Sequence, residues 1–132
     1  FYYNTLSGNA GQCAVDMAAL EVIHLENLMQ HAAEIGNYIR TELERMQSRF
    51  ERLGDVRGKG LFIGLDWVED PQTRAPDAAG AYEIVNQMKD RGILISNAGA
   101  HFNVLKIRPP LPFGMQHADL LLTNLEEVFA GA

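Results

Sequence analysis

The stretch Val104 to Leu111 reads VLKIRPPL and carries two cations at a spacing that could do chemistry. Val104, Lys106 and Arg108 alternate with Leu105 and Ile107, so a strand here sends both cations to one face and two aliphatics to the other. Pro109 and Pro110 supply no backbone donors, so ladder pairing must stop where the cations stand. Arg presents a planar fork of donors and Lys a compact point charge, an arrangement suited to a carboxylate or a phosphate. An ordinary solvated strand face accounts for the same residues. A second candidate lies at the other end of the chain, where Asn4, Thr5, Ser7, Gly8 and Asn9 precede an apolar helical pattern. Hydroxyls and amides grouped at a helix N-terminus bind phosphate, because unpaired donors and the positive dipole end point at the anion. Helix capping by Ser7 or Asn9 needs no ligand and is the plainer alternative.

The remaining reactive side chains form no evident constellation. His24, His31, His101 and His117 are dispersed, and no acidic residue or cysteine joins them at metal-ligand spacing, so a zinc site is not expected. Cys13 falls inside the apolar helix without a neighbouring base and reads as a buried thiol. Asp66 interrupts an apolar strand, which suggests either a pairing with a cation such as Arg57 or a hydrogen-bonded buried carboxylate. Asn97, His101 and Asn103 lie close to Lys106 in sequence and could line a pocket.

The elements that must position these groups follow from periodicity. Ala14, Val15, Ala18, Ala19, Val22 and Ile23 recur at helical spacing from about Ala10 to His24. That helix is apolar over most of its circumference and expects cover from a missing domain or a second subunit. Leu28, Ala32, Ile35, Ile39, Leu43, Met46, Phe50 and Leu53 form one stripe of a long amphipathic helix ending at Gly54. From Asp55 the period becomes two. Leu61, Ile63, Leu65 and Trp67 share one face of a central strand, with Phe62, Gly64, Asp66 and Val68 on the other, much of both being covered. Gly58, Gly60 and Gly64 would admit a close backbone or mark a bulge. Glu69 to Pro76 reads as an exposed loop. Asp77 is expected to cap a helix with Ala81, Ile84, Val85 and Met88 inside and Gly92 past its end. A short strand at Ile93 to Ser96, a loop at Asn97 to Asn103, the strand through Lys106 and a final helix at about Gln116 to Ala130 complete the order. The expected fold is α+β, a small, mostly antiparallel sheet with helices on one side.

Length and charge bound the function. The 132 residues, 47% hydrophobic, suit one globular domain, and a net charge of -6 with scattered acids argues against nucleic acid or an anionic membrane as partner. One cysteine excludes an internal disulfide and fits a reducing, cytoplasmic setting. The opening FYYNTLSGN, without Met or a leader pattern, is expected to continue a longer chain.

Three stretches in this order, NTLSGNAGQCAVDMAALEVI, GDVRGKGLFIGLDWVED and HFNVLKIRPPLPF, together resemble the C-terminal part of class III aminotransferases of the ornithine/4-aminobutyrate type. The last stretch and GNYIRTEL are especially similar to the alanine-glyoxylate aminotransferase 2-like branch, which includes ethanolamine-phosphate phospho-lyase. The resemblance implies the C-terminal small domain of a fold-type I enzyme that uses pyridoxal 5'-phosphate. Residues 1–27 would then be a dimer-crossing cofactor-phosphate segment with its linking helix, and residues 28–132 the small domain. Thr5 matches the family's threonine that binds the cofactor phosphate of the partner subunit, and Ser7 lies in the same segment. Leu6, Ser7 and Ala10 depart from the usual aromatic, glycine and proline, whereas Gly8 and Asn9 agree. The family's arginine for the substrate α-carboxylate aligns with Lys106, with Arg108 further along the same face; a lysine followed by a cation resembles the phospho-lyase branch.

The resemblance also implies that the Schiff-base lysine and the aspartate at the pyridine nitrogen lie upstream, in a missing N-terminal large domain. No catalytic residue and no metal ligand is therefore expected here, and the isolated chain is expected to be inactive. The complete protein would be a homodimer moving an amino group from an amino acid or amine to a 2-oxo acid. Alternatives are elimination of phosphate from a phosphorylated amine, decarboxylation, or a non-catalytic ligand-binding or dimerisation module.

Overall fold

A computed structural model describes residues 9–131. In chain order the elements are α1 (Ala10–Leu25), α2 (Leu28–Gln47), β1 (Leu53–Lys59), β2 (Phe62–Trp67), α3 (Ala78–Asp90), β3 (Ser96–Ala98), β4 (Val104–Ile107) and α4 (Met115–Ala130). The strands form one antiparallel sheet in the order β1-β2-β4-β3. Helices α2, α3 and α4 cover one face of it, and the α+β architecture is as expected. The core joins Ile63, Leu65, Trp67, Leu105 and Ile107 of the sheet to Ile39, Leu43, Ile84, Met88, Leu125 and Phe129 of the helices. Trp67 stacks on Phe129 at 5.1 Å between ring centroids, and the Arg52 guanidinium lies over its other side at 5.1 Å. No helix among the described residues is long and apolar enough to cross a membrane.

The single strand expected beyond Asp55 is a hairpin. Lys59 pairs with Phe62 across a two-residue turn at Gly60 and Leu61, and Gly60 takes φ 54°, which a residue with a side chain adopts only at a cost. A two-residue turn reverses parity, so Asp55, Arg57 and Lys59 share a face with Phe62, Gly64 and Asp66. A bulge does occur, but at the Leu53/Asp55 register shift rather than at any of the three glycines singled out. Close backbone approach occurs at Gly58, where a Cβ would lie 2.2 Å from the Phe62 carbonyl oxygen of the paired strand, and at Gly60. A Cβ placed on Gly36 of α2 would sit 2.1 Å from the Gly60 carbonyl oxygen, so helix and turn meet backbone to backbone.

Three other boundaries differ. Helix α2 stops at Gln47 instead of running to Gly54, because the Ser48 and Phe50 amides turn back to donate to Arg45 O and Met46 O respectively. The successive turns still aim Phe50 and Leu53 at the core, which is why the apolar stripe continues past the helix. Strand β3 begins at Ser96, since the Ile93 amide is used in closing α3 on Met88 O and Leu94 is exposed. Cys13 is exposed, not buried: among the described elements α1 packs only against α2, leaving Val15, Met17 and Leu20 open as well. The α3 cap is as expected, with Asp77 accepting from the Gly80 amide at 2.8 Å and also pairing with Arg52.

Candidate functional site

The second face of the sheet carries no helix among the described residues, so they supply the expected helical cover on only one face of β2. Registration builds this face in rows. Arg57, Gly64, Lys106 and Ser96 lie side by side across the four strands, with Asp55, Asp66, Val104 and Ala98 in the next row. Lys59 and Phe62 form the row towards the hairpin turn, level with the strand end that bears Arg108. Gly64 and Lys106 arrive here because their neighbours one residue away, Ile63, Leu65, Leu105 and Ile107, are core aliphatics.

Charge is distributed unevenly over that face. Arg57 donates from Nη1 to Asp55 Oδ2 and from Nη2 to Asp66 Oδ1, both at 2.7 Å. Hydrogen bonds to Asp66 first and Asp55 second hold the guanidinium above its already high ordinary pKa. The pairing of Asp66 with Arg57 is thus as read from the sequence. By contrast, Lys106, Arg108 and Lys59 make no ion pair among the described residues. Lys106 is half-buried and Arg108 exposed. Unpaired cations on a shaped surface retain their full capacity for an external anion.

Lys106 lines a cavity of about 250 Å³ with Arg57, Phe62, Gly64 and Val104. Gly64 forms a bare floor; a Cβ there would lie 3.3 Å from Val104 Cγ1. Arg108 lines a different hollow of about 350 Å³ with Lys59, Phe62, Pro109 and Met29. A third cavity of about 320 Å³ also reaches Arg108, between Ile93, Pro110, Phe113 and Leu121. Lys106 thus stands on the open face, whereas Arg108, one residue past β4, lines hollows shared with Met29 of α2 and Leu121 of α4, so the two cations occupy separate cavities. Arg57, Lys59 and Phe62 were not singled out as parts of this face. The parity change at Gly60 was the available signal: charges occupy odd positions before it and aliphatics occupy them after it.

Other sequence candidates serve the fold. His101 and Asn103 line a cavity of about 300 Å³ with Asp55, Asp66 and Arg74, apart from Lys106. Asn103 Nδ2 donates to Trp67 O at 3.0 Å, and Asn97 Nδ2 to Phe102 O at 3.1 Å. Asn9 caps α1, accepting from the Gly11 and Gln12 amides at 2.9 and 3.3 Å. Thr5 and Ser7 lie outside the described residues.

The architecture is an antiparallel sheet covered by helices on one face, with cations that make no ion pair among the described residues along and just beyond β4. Comparison with known proteins makes the assignment specific. Residues 2–129 match the family described as aminotransferase class-III, and the chain belongs to that family. An alanine–glyoxylate aminotransferase 2-like protein of Drosophila melanogaster is 41% identical over 127 residues, covering 96% of this chain and 26% of the relative. A phospholyase from Arthrobacter, solved in complex with phosphoethanolamine, is 44% identical with a TM-score of 0.93, covering 99% of this chain and 31% of that one. An amine transaminase from an uncultivated Pseudomonas species, solved in a PLP-bound form, is 33% identical with a TM-score of 0.89, over 99% of this chain and 30% of that one. The chain therefore spans about a quarter of the length of the curated relative and under a third of the solved structures.

Proposed function

We propose that this chain is the C-terminal small domain of a class III, pyridoxal 5'-phosphate-dependent aminotransferase, and that its task is to hold the substrate's anion. The carrying observation is the pair Lys106, on the helix-free face, and Arg108, at the proline-terminated end of β4, neither with a carboxylate partner among the described residues. When bound, the cofactor supplies an electron sink for the carbon bearing the substrate's amine. The residues present suit the substrate side of such a group, since cations with open donor capacity line cavities large enough for a small amine acid. Asn9 already occupies the Gly11 and Gln12 amides, so a role in holding the cofactor phosphate falls to Thr5 and Ser7 ahead of it. The exposed apolar residues of α1, including Val15, Met17 and Leu20, support docking on a large domain and a partner subunit. Movement of the domain would bring the cations to the substrate and exclude water around it.

One observation favours a second reading at the same site. The Arthrobacter phospholyase was solved with phosphoethanolamine, and a lysine at position 106 meets a phosphate as readily as a carboxylate, where an arginine would grip a carboxylate at two points. A phosphorylated amine is then the substrate and phosphate the leaving group. The test is the complete enzyme with Lys106→Met and Arg108→Met combined, assayed for both amino transfer and phosphate release. Removing charge-assisted bonds should raise KM for the preferred substrate by about tenfold or more. Unchanged kinetics in both assays would end the anion-holding role.

A further inference from the structure

The cavity that holds Lys106 and the one that holds Arg108 meet at a single side chain. Among the described residues, Phe62 alone lines both. It sits at the first position of β2, opposite Lys59, and one step along the face from the Gly64–Lys106 pair. Its ring is 57% exposed, so it stands up from the sheet where Gly64 beside it leaves only a floor. On one side are Lys106 and the Arg57 bridge; on the other are Arg108, Lys59 and the Pro109 corner.

We infer that Phe62 is a partition that assigns Lys106 and Arg108 to different anions, and is therefore a specificity-determining residue. This rests on the reading that the two cations face substrate. The half-buried Lys106, in the smaller slot with a glycine floor and a neighbour fixed by two carboxylates, takes the substrate's own anion. Arg108 lies past the last ladder pair and faces a wider hollow, where a planar aromatic keeps its charge from the same ligand. A single compact anion thus meets one cation and not both.

The experiment uses the complete enzyme with its cofactor and a matched pair of ligands, aminoethylphosphonate and β-alanine, which carry the same amine on different anions. Dissociation constants are measured by calorimetry. With Phe62 present, Lys106→Met should weaken the better-bound ligand by about tenfold or more, and Arg108→Met by less than about twofold. In a Phe62→Ala background, Arg108→Met should weaken it by about fivefold or more, because the cation now reaches the anion. Phe62→Leu, which keeps a wall, should behave as the parent. Equal losses for the two cation variants with Phe62 in place would show a shared clamp and overturn the partition while leaving the anion-holding reading intact. An unaltered pattern in Phe62→Ala would also overturn it. If neither cation variant shifts either constant, the anion-holding reading itself fails, and the partition with it.

Discussion

The two faces of the four-stranded sheet are made by the same strands at alternate positions, yet they are organised on opposite principles. Ile63, Leu65, Trp67, Leu105 and Ile107 point into a sealed apolar layer, each no more than 2% exposed. On the reverse stand Arg57, Phe62, Gly64, Asp66 and Lys106, with one aromatic, one bare glycine and several charges. Packing decides the first face, where shape is fixed by many weak contacts. Coulombic pairing and vacancy shape the second, where a few groups are held and others left uncommitted. A period of two lets one short segment contribute to stability and to recognition without either constraint trespassing on the other.

The sharpest way to break this comparison is to move the same insult from one face to the other. Trp67→Ala removes the ring stacked on Phe129 and should lower stability by about 3–5 kcal/mol in a denaturant titration. Arg57→Met, on the open face, leaves Asp55 and Asp66 as directly opposed like charges in the β1–β2 register. Because these groups are about half exposed, the loss should be only about 1 kcal/mol at neutral pH. Screening weakens that repulsion, so the deficit should shrink as salt rises. Lys106→Met should change stability least, within about 0.5 kcal/mol, while its effect on ligand binding is large. A Lys106→Met variant that unfolds as readily as Trp67→Ala would erase the distinction between the faces.

Much of this arrangement was readable from residue order. The alternation in VLKIRPPL placed Lys106 on the open face, the apolar heptad-like spacing gave α2, α3 and α4 their inner faces, and Asp77 announced the α3 cap. What escaped had local physical causes. The hairpin turn is Gly-Leu rather than an asparagine-glycine pair, so its only mark is the parity reversal around Gly60, and missing that hid Arg57, Lys59 and Phe62 from the site. Turns that continued the apolar spacing beyond Gln47 imitated helix. Cys13 looked interior because an apolar helix normally is; here, among the described elements, α1 finds only α2 to lean on. The division of Lys106 from Arg108 between two cavities depends on the height of one ring above a glycine, which spacing along a chain does not encode.

The contact of Gly36 with Gly60 has a mechanical consequence. With no side chains interposed, α2 bears directly on the tip of the hairpin, and that tip carries Lys59 and Phe62. Such a joint transmits displacement rather than absorbing it. Any tilt of α2, itself coupled to the exposed α1, would carry the rim of the cation-bearing hollow with it as one piece, so that rim is steered by a lever and not by a loose loop.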